Sequence, residues 1–285
     1  TVQIVPSVAL SQVDKLSANI KDLAQAIDAR KIKVSTPVQA SARFGYLVSS
    51  AQLDSGRLAP KFRADVLVER GIQLDNYGQP FVAALDFEEA MRLVPDSAEI
   101  FQAAAVNAFI RGDDARTLEL ANKALAINSS SASLHLKKAH IYYLAGQYQQ
   151  AKTELLELLK NSSEVERSYA TIWLYFTARR LGEDAVETTK AYMPTASSPA
   201  WPYKVLKYFT AGGDVQGAIA EANGTQKDPS RLCELYFYLG EKYLLDGDKR
   251  QAKINFEKSV NTGVVEFDEY NMAKREMQSF ERQTQ

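Results

Sequence analysis

Residues 67–96 read LVERGIQLDNYGQPFVAALDFEEAMRLVPD, and their spacing decides the fold. Gly71 is followed three residues on by Leu74, twelve on by Ala83, and then by Phe87, Ala90 and Pro95. Two antiparallel helices approach closely only where side chains are Gly or Ala, and large residues fill the space on either side. A small and a large residue on one helix, then Ala, large and Ala on the next, then Pro, encode such a hairpin. Moving 34 residues on from Gly71 reaches Ala105, with Phe101, Ala108, Gly112, Ala121 and Ala124 around it. Another 34 reaches Ala139, with Tyr142, Gly146, Ala151, Leu155 and Leu158. The best copy comes late, at Tyr236, Leu239, Gly240, Tyr243, Gly247, Ala252 and Phe256.

This helix–turn–helix period is that of the tetratricopeptide repeat. Ala139 to Gly240 is 101 residues, one short of three periods, so two more helical pairs fit between them. Residues 169–181 with 184–192, and 201–210 with 215–222, supply those pairs without the small-residue code. Gly112-Asp113, Gly146-Gln147, Gly182-Glu183 and Gly247-Asp248 fall where a first helix must stop and turn. Pro95-Asp96-Ser97 and Asp228-Pro229-Ser230 break the chain between repeats and offer capping oxygens to the next helix. Pro194, Pro199 and Pro202 predict a non-helical loop ahead of Trp201. The expected fold is all-α: a right-handed superhelix (an α-solenoid) of about six pairs, with an N-terminal helical extension. Its repeat domain covers residues 62–285, the last ~15 being a tail helix.

Residues 1–61 read differently. Val13, Leu16, Ile20, Leu23 and Ile27 recur at spacings of 3, 4, 3 and 4, one narrow apolar stripe on a helix over about 7–30. The stripe fits half of a helix–helix dimer seam, and it equally fits a cap folded over the open end of the solenoid. After a break at 31–37, a second helix is expected over 38–54, carrying Phe44, Leu47 and Val48.

Composition removes several classes of function. Of 285 residues 46 % are hydrophobic and 24 % charged, enough for a core and too few charges for a disordered chain. Lys and Arg total 34 against 35 Asp and Glu, and without a basic run no nucleic-acid partner is expected. Cys233 is the one cysteine, so neither an intramolecular disulfide nor a cysteine-based zinc site is available. No stretch approaches the ~20 apolar residues of a membrane span. The sequence opens on Thr1, so any signal peptide or lipid-attachment cysteine would lie upstream of it. There is no phosphate-cradling glycine loop and no Gly-x-Ser-x-Gly elbow. Neither an enzyme nor a cofactor is expected.

The candidate site is therefore a surface. His135 and His140 lie five residues apart, about 140° around a helix, and do not share a face as two zinc ligands would. His140 reads instead as a polar groove residue. The concave face is expected to be lined by Val68 and Ile72, then Gln102 and Phe109, then Leu136, His140 and Tyr143, then Phe237, Glu241 and Leu244. Mostly apolar and aromatic, this lining suits an extended or helical peptide. Two occupants are open: a partner protein, or the N- or C-terminal segment of the same chain.

Several runs outside the consensus positions resemble the bacterial outer-membrane lipoproteins of the NlpI family. They are Leu67-Val68-Glu69-Arg70-Gly71 with Ala84-Leu85-Asp86-Phe87 and Pro95-Asp96; Trp173-Leu174-Tyr175 with Leu181; Trp201 with Tyr208-Phe209; and Phe237-Tyr238-Leu239-Gly240 with Gly247-Asp248. The resemblance covers about residues 62–270. It implies a lipid-anchored, periplasmic, outer-membrane homodimer acting as an adaptor between a tail-specific protease and a peptidoglycan hydrolase, or as a scaffold for cell-wall enzymes. A second expectation, carried by the repeat alone, is an assembly lipoprotein for pilus or secretion pore subunits. The sequence departs from the family in its longer 31–60 segment and in Ala104-Ala105, where a Leu-Gly pair would stand.

Overall fold

The computed structural model describes residues 36–195, 200–224 and 228–283. The apolar stripe from Val13 to Ile27 lies outside the described residues. Fourteen helices and no strand are found among those described. Helix α1 (Pro37–Asp54) leans on α2 (Pro60–Asn76). Then come six hairpins: α2 with α3 (Pro80–Leu93), α4 (Ala98–Ile110) with α5 (Asp114–Ile127), and α6 (Ala132–Leu144) with α7 (Tyr148–Lys160). They continue with α8 (Glu164–Leu181) and the six-residue α9 (Ala185–Lys190), α10 (Tyr203–Ala211) and α11 (Val215–Asn223), and α12 (Pro229–Leu245) and α13 (Lys249–Val260). A last helix, α14 (Asp268–Gln283), packs on α13 and α12.

Local chemistry sets the boundaries. Ser97, Asp113, Ser131, Asp184, Asp214, Asp228 and Asp248 each accept a backbone N–H of the helix they open. Ser163 and Glu166 form a reciprocal capping box at the start of α8. Proline stands in the first turn of α1, α2, α3 and α12, where its missing N–H costs nothing. The four turn glycines carry φ between +73° and +83°, the left-handed region that a side chain resists. The tenth helix starts at Tyr203 rather than Trp201, because Pro202 sits at its cap.

The small-residue code does its expected job at both ends. A methyl group at Gly71 would stand 2.7 Å from Phe87 Cζ, and one at Gly240 would stand 2.5 Å from Phe256 Cε1. Each glycine is therefore the seat for the ring sixteen residues on. The middle is held otherwise: nine consecutive residues of α8, Ala170–Ala178, are buried. Trp173 is their centre, with ring contacts to His140 at 4.4 Å, Tyr143 at 5.2 Å and Phe237 at 5.8 Å. Aromatic bulk replaces the repeat code where the second helix shrinks to six residues.

Gly240→Ala should destabilise the fold by about 1–3 kcal/mol through overpacking, since Phe256 is itself fully buried and cannot yield. Urea denaturation followed by circular dichroism would measure it, and an unchanged midpoint would contradict this reading of the hairpin.

Candidate functional site

The ten residues expected on the concave side divide into two groups, five at least partly exposed and five buried. Val68, Ile72 and Gln102 border open space. Leu136 and Leu244 are half-buried. Phe109, His140, Tyr143, Phe237 and Glu241 are buried, so their expected place in a partner-binding groove is corrected for these five. Truncating them would open cavities in the core rather than remove contacts to a partner.

What covers the second group is the chain itself. Asp268, the first residue of α14, lies between Lys137 and His140 of α6, hydrogen-bonded to the lysine and 3.4 Å from His140 Nδ1. Burial works to raise the Asp268 pKa, but Lys137 and His140 outweigh it and hold the carboxyl well below its usual range. Tyr238 donates to Glu269 at 2.8 Å. Arg275 reaches across to donate to Asp114 at 2.8 Å and to the Phe109 carbonyl at 2.9 Å, with its guanidinium 5.0 Å above the Phe109 ring. Deeper in, Tyr143 donates to Glu241 at 2.8 Å, with Arg180 beside both. Burial dominates the His140 ring and lowers its pKa, so it sits there neutral. His135 is elsewhere, paired with Glu154 at 2.7 Å.

The N-terminal part of the groove is open. One cavity of about 690 Å³ runs past Asp65, Val68, Glu69 and Ile72 to Asp96 and Glu99. A second, of about 450 Å³, continues along Ile72, Gln102, Val106 and Ile110 to Glu266, in the turn before α14. The two share Val68, Ile72 and Glu99, forming one trough between α2 and α4. Ile72 is 41 % exposed on its floor. Asp75, at its edge, receives the Asn107 amide at 2.7 Å and is pushed up to about 7 by burial. Glu266 closes the far end. Sequence reading missed it because it lies outside any repeat, in a turn with no periodic signal.

No family model matches the chain. Among solved structures, a tetratricopeptide repeat protein from Parabacteroides merdae is similar with a TM-score of 0.51 and 17 % identity, over 90 % of this chain and 97 % of that one. A structure from the functional characterization of Pseudomonas aeruginosa pilF is similar with a TM-score of 0.44 and 18 % identity, over 76 % of this chain and 99 % of that one. The chain is thus an all-helical solenoid of the tetratricopeptide-repeat type. Its own last helix closes the central concave face and leaves a trough at the N-terminal end.

The buried carboxyls give this closure a pH dependence. Burial, then Glu234 and Asp268, push Glu269 up to about 8, and burial with Glu276 does the same for Glu241. Such a group adds stability that is complete below its ordinary pKa of 4.5 and lost as the pH rises through about 8. His140 opposes them, since its lowered pKa gives stability present above 6.5 and lost as the pH falls. Glu234 is also pushed up, to about 7, and burial raises Glu276 of α14, so four carboxyls around the closure titrate against one histidine. The Tm should fall between pH 5 and pH 8, and Glu269→Gln should flatten that fall. Thermal melts of both proteins across the range decide it; a wild-type Tm that climbs with pH would overturn the assignment.

Proposed function

We propose that this chain is a non-enzymatic protein-binding scaffold whose partner enters the trough between α2 and α4. The observation that carries the reading is the division of the concave face: the remainder is filled from within, while this part keeps an exposed apolar floor at Ile72. Monomeric proteins rarely leave such floors uncovered without a binding role. The finer reading is a periplasmic, lipid-anchored adaptor that brings a tail-specific protease to a peptidoglycan hydrolase. Its support is the resemblance of the runs around Gly71, Trp173, Trp201 and Gly240 to the NlpI-like lipoproteins. An adaptor of this kind works by effective concentration, holding two proteins on one rigid body so that their encounter becomes intramolecular.

Homodimerisation belongs to the same reading. Helix α1 presents Phe44, 70 % exposed, beside Leu47 and Val48, an apolar face at the end of the solenoid where the Val13–Ile27 stripe was assigned to capping or dimerisation.

Affinity capture from an envelope extract tests the adaptor role. The wild-type chain should recover both a tail-specific protease and a peptidoglycan hydrolase. Ile72→Asp should lose the partner held in the trough while keeping wild-type helicity. Recovery of pilus or secretion components without a protease would replace this reading by the assembly one. Separately, Phe44→Glu with Leu47→Glu should convert a dimer to a monomer in sedimentation velocity, and an unaltered sedimentation coefficient would remove α1 from the interface.

A further inference from the structure

The trough has a chemistry of its own. Its floor is two parallel stripes, Val68 and Ile72 on α2 and Ala103, Val106 and Ile110 on α4, at the helical spacings of three and four. A groove between two such stripes fits the apolar face of a third helix. Its walls are acidic: Asp65, Glu69 and Asp96 border it without an ion pair to any described residue, and Lys61 is the one cation among the described residues that line it.

Glu266 adds an independent observation. Both of its carboxylate oxygens are shut off from water, and no other described residue donates a hydrogen bond to either. A carboxylate in that position is costly unless a cation or donor meets it. Nothing among the described residues supplies one, and Glu266 lines the cavity. Burial raises its pKa accordingly.

We propose that the trough takes an amphipathic helix from a partner protein, its apolar stripe laid on Ile72 and Val106 and a flanking Lys or Arg ion-paired with Glu266, whose side chain turns out from its buried position into the groove to meet it. The inference rests on the scaffold reading of the same groove and gives the partner's chemistry. Cations on the opposite flank of that helix meet Asp65 and Glu69. Acidic walls also exclude helices of the wrong charge, so selectivity comes from repulsion as much as attraction.

The test uses the full chain and two synthetic 18-residue helices that share one Leu/Ile stripe, flanked in one by lysines and in the other by glutamates. Fluorescence anisotropy should show the lysine peptide binding at least about 100-fold more tightly than the glutamate peptide, with affinity falling as salt rises. Glu266→Gln should weaken it about tenfold and flatten the salt dependence. Ile72→Asp should abolish binding of the stripe.

Equal binding of the two peptides would overturn the proposal, since the walls would then play no part. Failure of the wild-type chain to bind either, with binding restored in Leu16→Asp/Leu23→Asp, would place the chain's own residues 7–30 in the trough and overturn assignment to a partner. Capture of the protease and hydrolase at wild-type yield by the Glu266→Gln protein, with loss of a partner in Ile72→Asp, would keep the scaffold reading of the trough while overturning the charged recognition proposed here.

Discussion

The Asp268 carboxylate, held between Lys137 and His140, is the contact on which the arrangement of the concave face depends. It lies at the first turn of α14, so it fixes where that helix begins and which way it runs. A buried acid is unfavourable alone, and removing Lys137, its charged neighbour, would leave an uncompensated charge. The pairing therefore acts as a locator as much as an adhesive. From it follow the seat of Glu269 under Tyr238 and the reach of Arg275 to Asp114. The arrangement also ends the open groove at Glu266, two residues earlier.

The two halves of the solenoid solve the same packing problem by different means. Near the ends, a glycine admits a phenylalanine ring from the next helix, as Gly71 does for Phe87 and Gly240 for Phe256. In the middle, α8 is buried along nine successive residues and packs through Trp173 against two neighbouring helices, α6 and α12. A helix buried all round has no solvent face to spare, and its partner α9 can be short because little remains to be covered. The open trough falls at the N-terminal end because α14 does not extend to it.

Much of the architecture is legible in the sequence. The spacing from Gly71 to Ala83, Phe87 and Ala90 reports side chains that must interdigitate, and such a requirement repeats with the structure. Turn glycines and capping Asp and Ser residues are local, so they too can be read directly. The groove is less legible. Phe109, His140, Tyr143, Phe237 and Glu241 occupy inward positions as expected, yet inward means buried once α14 lies over them. Its Asp268, Glu269 and Arg275 look like the solvated charges of a tail, because their partners are 131, 31 and 161 residues away in the chain. Val68, Ile72 and Gln102 border open space because their stretch of the groove lies beyond that cover.

An open repeat array has no preferred length: units can be gained or lost, and each senses only its neighbours. The bond from Arg275 to Asp114 removes that freedom, because it joins the last helix to the second hairpin across four others. Inserting or deleting a hairpin between them would carry the two residues out of reach. The chain is in effect a ruler with its ends referred to each other, so its number of repeats is part of its tertiary structure. Such a loop also ties distant hairpins into one folding unit, where an open array could melt piecemeal from either end.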